Sequence, residues 1–158
     1  MPVSTYAYQH YLLDSIRGEL GAGALKEIAQ APGIQSVYRV TCHRPADDLP
    51  DSVATLISSI AGQPTLTVSY TDGTAVESTL TADAYRELTS AFARAKFDNM
   101  SDQSDIPTQG VPLWLVERAA GSFAQRVLIA PETAEGPHAN LIAYLRAHLA
   151  QAIEVDSA

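Results

Sequence analysis

TLTVSYTDGTAVESTL, residues 65–80, alternates apolar and polar side chains with period two, breaks at Asp72-Gly73 and alternates again. Leu66, Val68 and Tyr70 point one way, and Thr65, Thr67, Ser69 and Thr71 the other, which is the signature of a strand with one polar face. Asp72-Gly73 suits a two-residue type I′ hairpin, making Val76–Leu80 the partner strand. Thr81 then stands where a helix N-cap belongs, and Tyr85, Leu88, Phe92 and Ala95 follow on one helical stripe.

The same strand-turn-strand-helix order recurs downstream. Leu113–Val116, a turn at Gly121 and Val127–Ile129 precede a helix from about Pro137, with Leu141, Leu145 and Leu149 on one stripe and Ile142 and Ile153 beside it. Two such units in tandem predict an α+β fold: an antiparallel, or mixed, sheet with helices packed on one face and further helices at the N-terminus. The second pair of strands is continuously apolar, which calls for cover on both faces, by the N-terminal helices or by a second copy of the chain. Pro112 places the first of these strands at a strand start or an edge.

Outward from these units, Tyr6–Arg17 and Leu25–Ala29 read as two helices separated by Gly18, Gly21 and Gly23. Ile34–Cys42 reads as a half-buried strand, with Tyr38, Val40 and Cys42 inward and Arg39, Thr41 and His43 outward. Asp51 as a cap, with Val53, Leu56, Ile57 and Ile60 at helical spacing and a stop at Gly62 and Pro64, predicts a helix. Asp47, Asp48 and Asp51 would favour its N-terminal dipole, as Glu132 and Glu135 would that of the last helix. The expected organisation is one domain over 1–158: a helical segment at 1–33, a strand, helix and first unit at 34–95, a long acidic loop at 96–110 and the second unit at 111–153.

The chain has 158 residues, nearly half of them apolar, enough for a core without metals or disulfides. Its net charge of −8, with ten scattered Lys and Arg, disfavours phosphate-backbone binding, so no nucleic-acid partner is expected. The N-terminal stretch lacks the pattern of a secretory signal, and no apolar run is long enough to span a bilayer; a cytoplasmic protein with no membrane partner is the expectation. Cys42 is alone and cannot form an internal disulfide.

Candidate sites are few. Arg39, Thr41 and His43, joined by Thr65, Thr67, Ser69 and Thr71 if the strands share a face, would form a hydrogen-bonding surface suited to a small anion. Asp98, Asp102 and Asp105 in the long loop carry the oxygen ligands a divalent cation prefers, though without EF-hand spacing; the competing reading is a solvated loop anchored by Phe97, Met100 and Ile106. Cys42 beside His43 is placed on the opposite strand face, which argues for an inert core thiol. His10, His138 and His148 lack zinc-site spacing. Tyr8, Tyr11 and Trp114 are the aromatic candidates for an interface, Trp114 equally for the core.

Phosphate-loop, metalloprotease and serine-hydrolase motifs are missing, and no cofactor is implied. The sequence therefore leans towards a non-enzymatic domain that binds a protein partner or itself. A small-anion binder or enzyme built on the Arg39 face, and an acidic inhibitor of a basic protein, are the alternatives.

Overall fold

A computed structural model describes residues 6–45, 50–107 and 110–153, the side chains of 148–153 excepted. Asp47 and Asp48, and the side chains of His148, Leu149 and Ile153, lie outside the described residues. Helices α1 (Ala7–Glu19) and α2 (Leu25–Ala29) lead into strands β1 (Ile34–His43), β2 (Ser52–Ser59), β3 (Thr65–Tyr70) and β4 (Ala75–Thr79). Then come α3 (Ala82–Arg94), β5 (Leu113–Ala120), β6 (Phe123–Ile129) and α4 (Gly136–Ile153). The six strands form one sheet in the order β4-β3-β2-β1-β5-β6, antiparallel throughout. The architecture is α+β, and both tandem units are present in it.

The hairpin at 65–80 forms by a different turn from the expected one. Only Gly73 within it has positive φ, at 94°. Tyr70 and Thr74 close a three-residue loop: Tyr70 N donates to Thr74 O (2.9 Å) and Gly73 N to Tyr70 O (3.0 Å). Asp72 keeps negative φ because its Oδ1 accepts from Thr74 N (2.9 Å) and Thr74 Oγ1 (2.6 Å), leaving glycine alone to supply the left-handed residue. The β5–β6 hairpin does use two residues, Gly121 (φ 57°) and Ser122. Thr81 caps α3 by accepting from Ala84 N (3.1 Å).

The helix expected after Asp51 is instead β2, an interior strand. Val53, Leu56 and Ile57 fit helical spacing, but they equally fit a strand buried on both faces, where apolar residues need not alternate with polar ones. Ala54 and Leu56 face one layer while Val53, Thr55 and Ile57 face the other, and β-branched residues suit that environment. Ile60, the fourth position of the supposed helical stripe, is 74% exposed. Asp51 caps no helix; its carboxylate accepts from Arg44 N at 2.7 Å and pairs with His43 Nδ1 at 3.1 Å.

One face of the sheet, carrying Tyr38, Val40, Cys42, Leu56, Val68, Trp114, Val116 and Ile129, packs against Leu88 and Phe92 of α3 and Leu141 and Leu145 of α4. Helices α1 and α2 cover β1, β5 and β6 on the other face, so β1 is buried on both sides rather than half-buried. This internal cover answers the demand of the continuous apolar strands. The long loop contributes a short 3₁₀ turn at Phe97–Asn99 and then runs along the β6 edge. Gln103 N donates to Leu128 O (3.0 Å), and Ala130 N donates to Gln103 Oε1 (3.0 Å), closing an edge that would otherwise expose backbone groups. Phe97 and Ile106 are buried as its anchors. Among the described residues, no helix is long and apolar enough to cross a membrane.

Leu13 is fully buried between α1 and the sheet, whereas Tyr11 on the same helix is 70% exposed. Leu13→Ala is expected to lower unfolding free energy by about 2–5 kcal/mol and Tyr11→Ala by no more than about 0.5 kcal/mol, read by denaturant titration.

Candidate functional site

The register aligns one residue from every strand in a single row on the α1–α2 face: Glu77, Thr67, Thr55, Arg39, Glu117 and Arg126. Every member is polar. Within the covered part of the face, the row separates one apolar cluster (Leu13, Val53, Leu115, Leu128) from another (Leu25, Val37, Ala119). Alternation places Arg39 between Val37 and Thr41, and Glu117 between Leu115 and Ala119, so both charged groups project beneath the helices.

Arg39 is only 1% exposed. Its Nε donates to Thr55 Oγ1 (3.0 Å) and its Nη1 to the carbonyl of Gly23 (2.7 Å), in the segment joining α1 to α2. Burial lowers its pKa and the charge of Glu117 partly restores it. Glu117 is 8% exposed, and its Oε1 is buried without a hydrogen-bond partner. Burial raises the Glu117 pKa above the usual carboxylate value, against the opposing charges of Arg126 and Arg39.

Glu117 lines a cleft of 310 Å³ with Asp14 and Arg17 of α1, Lys26 of α2, and Gln125 and Arg126 of β6. Arg126 Nη2 donates to both Asp14 oxygens, each at 3.0 Å. Arg17 Nη1 donates to Ala22 O (2.9 Å), and its Nε lies 4.0 Å from Asp14. The walls are thus held by ion pairs and a backbone contact, while the buried carboxylate has an uncommitted oxygen. That combination suits recognition of a polar molecule that brings its own donor.

The residues expected to form a ligand face do share one side of the sheet, with Thr55 of β2 between the two groups. They do not form an open surface. Arg39 and Thr41 lie buried beneath the helices, while His43 and the β3 residues Thr65, Thr67 and Ser69 are partly open. His43 is engaged with Asp51.

Two of the three loop carboxylates are committed to separate partners. Asp98 receives Arg118 Nη1 on both oxygens (3.0 and 3.1 Å). Asp102 pairs with His10 Nε2 and accepts from Leu128 N, both at 2.8 Å, and Asp105 sits at positive φ (58°). Among the described residues, no group of three His, Cys, Asp or Glu could hold a metal ion. Cys42 is buried, and His138 contacts Ser101 O (2.8 Å). Tyr8 and Tyr11 are exposed on α1, but Trp114 is core, with the Arg146 guanidinium 5.4 Å from its ring centroid.

Glu117, Arg126, Asp14, Arg17 and Lys26 were not among the residues the sequence singled out. The available signal was Glu117 within the largely buried strand Leu113–Ala120, facing Arg126 across the Gly121-Ser122 turn. A scan against protein-family models gives no match, and a search of curated proteins finds none with significant similarity.

Two carboxylates outside the cleft have lowered pKa values and so bear on the protein's stability in acid. Burial alone would raise Asp102, but hydrogen bonds from His10 and Leu128 N and the charges of His10 and Arg126 outweigh it and leave the pKa low. Asp51 is likewise lowered: burial opposes, while His43 and the Arg44 backbone N–H prevail. A depressed carboxylate contributes stability above its unfolded pKa of about 3.9, and that contribution is lost as pH falls through the lower folded value. Asp102→Asn is expected to cost about 1–3 kcal/mol at pH 7 and to flatten the loss of stability below pH ~4, read from denaturant midpoints across pH.

Proposed function

We propose that this protein binds a small polar molecule in the cleft between α1–α2 and the β5–β6 hairpin. The observation that carries this reading is the Glu117 carboxylate, which lines a cleft bordered by Arg17, Lys26 and Arg126 and whose Oε1 is buried without a hydrogen-bond partner. Leaving a buried acceptor unsatisfied costs about 1–3 kcal/mol, more for a charged group, and a ligand donor would recover it. A concave site with a few convergent polar groups and a perturbed carboxylate supports the same reading. The α1–α2 cover over β1, β5 and β6 removes the apolar-strand argument for self-association.

A second reading, association with a protein partner or with another copy, is favoured by Tyr8 and Tyr11, which are 65% and 70% exposed. Aromatic side chains exposed in this way are enriched at protein interfaces. Sedimentation at high concentration tests the self-associating form: a monomer whose mass is unchanged in Tyr8→Ala/Tyr11→Ala counts against it, and a dimer lost in that variant supports it.

For the cleft, amide resonances of ¹⁵N-labelled protein are followed while a set of small polar molecules is added. Shifts concentrated at residues 14–26 and 117–126 are expected for at least one of them. Glu117→Gln should weaken binding of that molecule by about 10–150-fold, the value of one hydrogen bond to a charged group. No perturbation there by any member of the set would overturn the reading.

A further inference from the structure

The chemistry of the cleft is uneven from floor to mouth. Its floor is an acceptor: ionised Glu117 can accept hydrogen bonds but not donate them. Its mouth is cationic, and the three nearby guanidinium groups are not equally open. Arg39 is buried and already donates to Thr55 and Gly23. Arg17 is held by Ala22 O and lies beside Asp14. Arg126 spends Nη2 on Asp14, which leaves Nε and Nη1 with no partner among the described residues. Lys26 is exposed, and its ammonium group makes no hydrogen bond or ion pair among the described residues.

A bare anion would meet the Glu117 carboxylate in a poorly hydrated floor, and like charges brought together there cost energy. A bare amine would satisfy that floor but leave its chain against Lys26 and Arg126, which repel any positive charge. One molecule carrying both charges meets both ends. Charge-assisted hydrogen bonds are about twice as strong as neutral ones, which favours an ammonium over a hydroxyl as the donor to a buried carboxylate. A volume of 310 Å³ lies at the small end of the ~300–1,000 Å³ typical of ligand cavities.

Resting on the cleft reading above, we infer that the ligand is a small amino carboxylate, a zwitterion whose ammonium group seats on Glu117 and whose acid group meets Lys26 and Arg126. Asp14 has a positioning role: it holds Arg126 in place from α1 and so sets where the acid group is received.

The test is calorimetric titration of the full chain with glycine, β-alanine and 4-aminobutyrate, each beside the simple amine and the simple carboxylate of matching length. The series is needed because the acid and ammonium ends must span floor to mouth. At least one zwitterion should bind tenfold or more tightly than both of its halves. Glu117→Gln should weaken that binding by about 10–150-fold, and Lys26→Met, at an exposed position that does not threaten folding, should weaken the zwitterion while not weakening the amine. An amine or an acid that binds as tightly as its zwitterion, or a zwitterion indifferent to Lys26→Met, overturns the inference. If other polar molecules shift the cleft resonances while no zwitterion outperforms its halves, only the ligand class is wrong. If nothing shifts them, the cleft reading falls with it.

Discussion

Arg39 is the constraint around which the second face of this protein is arranged. A guanidinium on a central strand, beneath two helices, loses its water and must be compensated by fixed groups. Thr55 on the neighbouring strand accepts from Nε, the Gly23 carbonyl accepts from Nη1, and Glu117 opposes the charge from β5. The Gly23 contact reaches into the segment between α1 and α2. It therefore couples the start of α2 to the centre of the sheet and positions one wall of the cleft.

The consequences spread along the polar row. Arg39 draws a carboxylate under the helices, Glu117 faces Arg126 across the β5–β6 hairpin, and Arg126 is tied to Asp14 on α1. The covered face is consequently split into two apolar clusters rather than one, and the cleft opens where the row emerges from beneath the helices. The opposite face carries no comparable interruption; Tyr38, Phe92 and Phe97 pack edge-to-face there, and Trp114 lies under Arg146. The larger apolar cluster lies on the α3–α4 side, while the α1–α2 side combines packing with buried charge.

Much of the architecture was legible in sequence because local signals agreed with the final environment. The 65–80 hairpin, the Thr81 cap, the strand from Ile34 and the inward placement of Cys42 all follow from periodicity and turn chemistry. The failure at Ser52–Ser59 has a physical cause: a strand buried on both faces loses the alternation that distinguishes it from a helix. The site was less legible for a related reason. Arg39 could be assigned to the correct face, but the helices that cover it, and the register that sets Glu117 opposite it, are long-range features. Asp98 and Asp102 look like metal ligands when read along the loop. Arg118 and His10, from distant segments, claim them instead.

The central claim is that Glu117 is a buried carboxylate kept short of a partner at the floor of an accessible cleft. It is tested most directly by following the side-chain carboxyl ¹³C resonance of Glu117 as pH is varied in the free protein. The account predicts titration above the usual range for glutamate, because burial outweighs the opposing charges of Arg126 and Arg39. Titration at or below the ordinary value of about 4.3 would contradict it, and would mean that the carboxylate is solvated or already paired.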